Sequence, residues 1–137
     1  MTYRVAYDIS ETVLPDVNAA VKFLGERPLR IATHGKRAAS YWFAPTGAED
    51  VLRLDIDYDA ERAALRWLPD GSHAIEVPEG ESIVVMESSD SDLVTIPAKL
   101  ARVSVETAHR AVAEYVSTGQ RPRCVEWITG DRQAPGA

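Results

Sequence analysis

The feature that most constrains the fold is an alternation of apolar and polar residues in the middle of the chain. Apolar side chains recur at every second position through the stretch Val51–Tyr58, and the alternation returns in Ala63–Leu68. A period of two is typical of a strand with one buried face. The pattern therefore predicts an antiparallel hairpin closed by a loop over Asp59–Arg62.

This loop predicts a specific register. Tyr58 would face Ala63, Ile56 would face Leu65 and Leu54 would face Trp67, so that apolar residues meet on one face. On the outer face, Asp55 would meet Arg66. We expect that face to be a salt-bridged sheet surface.

Further extended segments are predicted on both sides of the hairpin. The run Ile83–Met86 is apolar throughout and is typical of a central strand covered on both faces. The other segments are Thr2–Ile9, Leu29–Thr33, Ser40–Phe43, Ser72–Val77, Leu93–Ile96 and Cys124–Ile128.

Two helices complete the prediction. The first would have Pro15 at its first position and stop at Gly25, and the second would begin after the N-cap Ser104 and stop at Gly119. Each glycine opens a Gly-x-Arg-Pro motif, which we interpret as one helix stop used twice. The predicted fold class is α+β, an antiparallel sheet with two helices packed on it.

Length and composition indicate one soluble domain. The chain has 137 residues, of which 45% are apolar and 26% charged, and no apolar run approaches a membrane span. The N-terminus lacks the zones of a signal peptide, so we expect a cytoplasmic protein. We expect residues 1–128 to form the domain and residues 129–137 to form a flexible tail.

Charge is distributed unevenly along the chain. The net charge is −6, and residues 76–98 hold six acidic and no basic side chains. Such a field repels phosphate backbones and attracts a basic protein, which disfavours direct nucleic-acid binding. The alternative is that these residues only keep the domain soluble.

Candidate catalytic and metal sites are weak. The histidines His34, His73 and His109 are widely spaced and offer no metal-ligand pattern. A reactive thiol needs a helix N-terminus or an adjacent cation and base, whereas Cys124 lies in a predicted strand near the end of the chain. Asp55 and Asp57 share a strand face, as paired catalytic carboxylates do, but Arg53 and Arg66 beside them would hold both ionised.

Three consecutive aromatic residues mark one strand. Tyr41, Trp42 and Phe43 cannot all point to the same face, because neighbours on a strand alternate. Either Trp42 or the flanking pair must meet a helix or solvent. An exposed ring would mark a binding surface, and burial under a loop is the alternative.

The helix and strand near the C-terminus resemble a known family. The stretch Ala111–Trp127, a helix that ends before Arg121-Pro122 and leads into a strand with Trp127, resembles the first immunity-protein family of bacterial polymorphic toxin systems. Val21–Pro28 and Trp67–Gly71 carry the same resemblance, and residues 72–98 match least. That family includes the inhibitor of a double-stranded-DNA cytosine deaminase toxin.

The resemblance implies a non-catalytic α+β protein without a cofactor that binds a co-encoded toxin domain, often a deaminase, and covers its active site. Nucleic-acid deaminases present a cationic channel, so carboxylates are suited to occupy it. The expected contacts are Trp42 and six acidic residues: Glu76, Glu79, Glu81, Glu87, Asp90 and Asp92. The alternatives are a small hydrolase using Asp55, Asp57 or Cys124, and a general protein-binding adaptor.

Overall fold

Strands dominate the architecture, and two helices pack on one side of them. The computed structural model describes residues 2–29 and 35–129. In chain order the elements are β1 (Tyr3–Tyr7), β2 (Ser10–Leu14), α1 (Val17–Glu26), β3 (Ala38–Pro45), β4 (Leu52–Asp57), β5 (Arg62–Trp67), β6 (Ser72–Ile75), β7 (Ile83–Val85), β8 (Val94–Ile96), α2 (Val105–Thr118) and β9 (Glu126–Ile128).

The described strands form two antiparallel sheets. The larger has seven strands in the order β2-β1-β3-β4-β5-β6-β9, and the smaller pairs β7 with β8. Leu52, Leu54 and Phe43 lie in the fully buried core of the large sheet together with Val112 and Tyr115 of α2. The α+β prediction is confirmed.

The central hairpin forms as predicted, but its register differs by two residues. Leu54 pairs with Leu65 and Ile56 with Ala63, because the loop covers residues 58–61. The Asp57 carboxylate starts this turn early by accepting hydrogen bonds from the amides of Asp59 and Ala60, at 3.0 and 3.1 Å. A shift of two keeps every side chain on its predicted face.

The N-terminal segment is a hairpin and not the single strand expected over Thr2–Ile9. Asp8, with φ of 52°, makes the turn between β1 and β2. Asp16 is the N-cap of α1 and accepts a hydrogen bond from Ala19 N at 2.9 Å, so Pro15 lies outside the helix and the predicted helix start is wrong.

The two Gly-x-Arg-Pro motifs behave differently. Gly119 ends α2 in the left-handed conformation, with φ of 74°, as predicted, and the N-cap Ser104 is also confirmed. Gly25 lies inside α1, which continues to Glu26 and into a short 3-10 helix at Arg27–Leu29. The predicted helix stop at Gly25 is therefore wrong. Of the strand expected at Leu29–Thr33, Leu29 belongs to this 3-10 helix and residues 30–33 lie outside the described residues.

The apolar run Ile83–Met86 is not a central strand of the main sheet. Its residues form β7, which pairs with β8 and lies across the face of the large sheet that points away from the helices. There Ile83 and Val85 pack with Ala38 of β3 and Ala64 of β5 in a second buried cluster. The outer face is thus partly covered, and Asp55 on it is fully buried, which corrects the expectation of a surface pair.

Candidate functional site

The turn that joins β7 to β8 carries three of the acidic candidates. Glu87, Asp90 and Asp92 lie in residues 87–92, which we call the acidic loop. Within it, the Ser88 hydroxyl donates to the Asp90 carboxylate, and Ser91 N donates to Ser88 O at 3.3 Å. Asp90 and Asp92 are exposed, and across residues 2–29 and 35–129 no cation lies within ion-pair distance of either.

Trp42 is joined to this loop through an arginine. Trp42 lies on the outer face and is half-buried, whereas Tyr41 and Phe43 face the helix-side core. The guanidinium of Arg53 stacks over the Trp42 ring at 4.9 Å and donates to Glu87 Oε2 at 2.5 Å. The structure therefore brings Trp42 and the acidic loop together on one surface.

The buried carboxylate of Asp55 fixes the two arginines next to this surface. Its two carboxylate oxygens bind Arg53 at 3.0 Å and Arg66 at 2.9 Å, and the Ser40 hydroxyl donates to Oδ1 at 2.6 Å. Burial opposes the charge on Arg53, but Asp55 and Glu87 together raise its pKa. Since the charges of Arg53, Arg66, Asp55 and Glu87 cancel, the uncompensated charge of the acidic loop lies on Asp90 and Asp92.

A further carboxylate that sequence reasoning missed borders the acidic loop. Asp8, in the turn between β1 and β2, accepts a hydrogen bond from Ser89 N at 2.7 Å. Asp8 and Ser89 are 81 positions apart, and nothing in the local sequence signals their contact. The sequence already placed Arg53 beside Asp55, but only the observed pairing of β3 with β4 makes Trp42 and Arg53 direct cross-strand neighbours.

The remaining acidic candidates lie at the other end of β7, in residues 76–81, which we call the second acidic segment. Because β7 lies between them, Glu81 and Glu87 flank an extended segment and are separated by at most about 20 Å. Glu79 and Glu81 are exposed, and a Cβ added at Gly80 between them would lie 3.0 Å from Nη2 of Arg62. The six carboxylates therefore form two groups.

Glu76 has a structural role within the second acidic segment. Its carboxylate accepts hydrogen bonds from Ser104 N at 2.8 Å and from the Thr107 hydroxyl at 2.7 Å, at the start of α2. Burial alone would raise the pKa of Glu76, but these hydrogen bonds outweigh burial and lower it.

The side chains of the hydrolase alternative have structural roles. Asp55 is fully buried between two arginines, and Asp57 caps the turn that follows β4. Burial raises the pKa of the Cys124 thiol, and Glu114 adds to this rise, which opposes formation of a nucleophilic thiolate. No observation here favours catalysis by these groups.

The two histidines among the described residues, His73 and His109, belong to no candidate metal-ligand group. His109 Nε2 lies 2.8 Å from the Tyr58 hydroxyl, and burial lowers its pKa. His73 is buried in β6, and His34 lies outside the described residues. Within the described ranges, no group of His, Cys, Asp and Glu has the arrangement of a metal site. Neither described helix is long and apolar enough to cross a membrane.

A protein-family model matches most of the chain. The model of the family described as immunity protein Imm1 matches residues 13–129. The matched range includes Trp42, the acidic loop and the second acidic segment. No curated protein matches the chain.

Proposed function

The chain belongs to the Imm1 family of immunity proteins, and from that premise we propose that it neutralises a cognate toxin by covering the toxin's active site with Trp42, Arg53 and the acidic loop. The toxin we propose is a nucleic-acid deaminase, met in the cytoplasm before it reaches DNA. The observation that carries this proposal is the contact of Trp42 with Arg53 and of Arg53 with Glu87, next to two exposed carboxylates.

The chemistry of this surface suits a protein partner. Tryptophan and arginine are enriched among the few residues that dominate interface energies. Trp42 and Arg53 are held in place by stacking and by Asp55, so little side-chain entropy is lost on binding. We assign the central contact to these two residues.

The carboxylates supply the electrostatic part. A deaminase must bind an anionic backbone in a cationic channel. Asp90, Asp92 and Glu87 would lie where phosphates otherwise lie, while Glu79 and Glu81 would add attraction at longer range. Glu76 would contribute mainly through the start of α2.

The test compares two matched double variants. Asp90→Lys/Asp92→Lys reverses two charges in the acidic loop, and Glu79→Lys/Glu81→Lys makes the same change in the second acidic segment. We expect the first pair to weaken toxin binding by about a hundredfold and the second by less than about tenfold, measured by titration calorimetry at fixed salt. Equal losses in both pairs would contradict the central role of the acidic loop.

Trp42→Ala tests the apolar contact without a change of charge. We expect a loss of at least about 2 kcal/mol in binding free energy. Circular dichroism and the urea midpoint of the free variant show whether its fold is intact. A folded Trp42→Ala protein with unchanged affinity would remove Trp42 from the interface.

The reaction class is tested on the toxin encoded beside this protein. Expressed alone, that toxin should stop growth and introduce deaminated bases into DNA, and co-expression should restore growth and yield a stoichiometric complex. Growth arrest and rescue without deaminated bases would retain the immunity function and exclude a DNA deaminase as the target.

A further inference from the structure

A small cavity lies beside the acidic loop, between the C-terminal end of α1 and the start of β3. Its volume is about 210 Å³, and its lining includes Arg27, Lys36, Met86 and three tyrosines, Tyr7, Tyr41 and Tyr58. Sites for whole small molecules usually measure about 300–1,000 Å³. This cavity therefore suits one chemical group and not a large cofactor.

Arg27 is the unusual residue of the lining. The residue is only 8% exposed, its Nε donates to Phe23 O at 3.1 Å, and its guanidinium stacks over the Phe23 ring at 4.0 Å. Across residues 2–29 and 35–129, no carboxylate lies within ion-pair distance of it, and its terminal nitrogens Nη1 and Nη2 have no acceptor. Neither terminal nitrogen is among the fully buried atoms that lack a partner, so a ligand in the cavity can reach both of them.

The charged groups at the cavity have a net positive charge that one anion would neutralise. Arg37 is paired with Asp59 at 2.7 Å, and Asp8 also lines the cavity. Among the described residues, the lining holds three cations, Arg27, Lys36 and Arg37, and one carboxylate, Asp8. Asp59 neutralises Arg37 from outside the lining, so these described groups leave a charge of +1. The positive charge of Arg27 also acts on Tyr58, where it opposes the rise in pKa caused by burial.

We propose that this cavity binds a single carboxylate, with its two oxygens on Nη1 and Nη2 of Arg27 and its body against the tyrosine rings. The planar fork of a guanidinium matches a carboxylate in a bidentate arrangement. One carboxylate also matches the unpaired charge of +1, which a dianionic phosphate exceeds. The carboxylate comes either from a free organic acid or from an acidic side chain of the bound toxin, and the second source rests on the proposed function.

The first experiment uses the free protein and sodium benzoate. Arginine side-chain NMR signals are followed while benzoate replaces chloride at constant ionic strength. We expect the Arg27 Nε signal to move saturably, with a dissociation constant of millimolar order, and inorganic phosphate to bind more weakly. Signals that move linearly without saturation, or tighter binding of phosphate, would overturn the proposal.

The variants separate the site from general effects. Arg27→Gln should abolish saturable binding, and Arg27→Lys, which keeps the charge but loses the fork, should weaken it at least about tenfold. The matched control is Arg121→Gln, which removes an arginine stacked over Trp127 at 5.5 Å, and it should bind benzoate normally. If Arg27→Gln fails to fold, the affinity of the folded Arg27→Lys protein for benzoate is the decisive measurement. Normal benzoate binding by the folded Arg27→Lys protein would overturn the assignment to Arg27.

The second experiment distinguishes the two sources. If the toxin supplies the carboxylate, the purified complex should show Arg27 already at its benzoate-bound position and should not respond to benzoate. If a free acid is the ligand, the complex should still titrate. If no complex forms, the proposed function fails, while the benzoate titration of the free protein still decides the cavity.

Discussion

Asp55 is the residue on which the outer face of the sheet depends. Arg53 and Arg66 are direct cross-strand neighbours, an arrangement of like charges that is unfavourable by itself. The fully buried Asp55 carboxylate binds both guanidinium groups, while Arg66 Nε remains buried without a partner. Removing a buried shared carboxylate costs far more than removing an exposed pair. The Asp55 carboxylate thus fixes the position of Arg53 against the Trp42 ring.

Glu76 shows the opposite case, an exposed residue whose hydrogen bonds give it a structural role. Its carboxylate satisfies Ser104 N and the Thr107 hydroxyl at the start of α2. The ionised form is the better acceptor and is favoured by the positive end of the helix. We therefore expect the charge of Glu76 to stabilise the fold in a pH-dependent way.

We predict that Glu76→Gln lowers the free energy of unfolding by about 1 kcal/mol at neutral pH. Because the folded pKa of Glu76 is lowered, the wild-type advantage is full above the ordinary glutamate pKa. It should disappear as the pH falls through the lowered folded value. Urea unfolding from pH 7 down to pH 3 measures this difference.

Glu79→Gln is the control, since Glu79 is exposed three residues away. Its unfolding curve should follow the wild type at every pH. If the loss of unfolding free energy in Glu76→Gln were as large at pH 3 as at pH 7, the role given to the ionised carboxylate would be contradicted.

At the scale of elements, the two helix ends show how one motif gives two structures. Gly119 is left-handed, and a Cβ there would lie 2.7 Å from the Tyr3 hydroxyl. Gly25 is helical, and a Cβ there would meet nothing within 4 Å. The difference follows from what comes next: Arg27 packs on Phe23 and Tyr7 and continues the turn, whereas Arg121 is exposed.

We therefore predict opposite effects of the same substitution. Gly25→Ala should stabilise the protein by about 0.5 kcal/mol, because alanine loses less backbone entropy in a helix. Gly119→Ala should destabilise it by more than about 1 kcal/mol, because alanine disfavours a positive φ and meets Tyr3. Urea midpoints with unchanged m-values measure both, and destabilisation by Gly25→Ala would show that this glycine is needed as a stop.

For the whole molecule, the uneven charge is the property on which the proposed electrostatic attraction of the toxin depends. The net charge is −6, and the structure distributes the six carboxylates of residues 76–98 between the two ends of β7. Glu87 is neutralised by Arg53 and Glu76 is engaged at α2, which leaves Glu79, Glu81, Asp90 and Asp92 exposed. These exposed groups contribute to the negative field that an approaching protein meets.

We predict that association with the toxin is steered by this field. The association rate should fall about tenfold or more between 0.05 M and 0.5 M salt, while the dissociation rate changes by less than about threefold. Stopped-flow fluorescence measures both rates. Glu79→Gln/Glu81→Gln should flatten the salt dependence of association without changing dissociation, and an association rate independent of salt would contradict steering.

Local patterns in the sequence were sufficient for much of the fold. The alternation in β4 and β5, the Ser104 cap and the left-handed Gly119 depend on neighbours within a few positions, and all three are confirmed. The family was also predicted from a local signature, the helix stop followed by a strand with Trp127, and the family match confirms it.

What the sequence left undecided involved residues far apart in the chain. The register of the hairpin depended on whether Asp57 would accept the turn amides, and Gly25 stayed helical because Arg27 found two rings to stack on. The joining of Trp42 to Glu87 required β7 and β8 to cover the outer face, which buried Asp55. A local pattern specifies which face of a strand is apolar, but only tertiary packing decides what covers the other face.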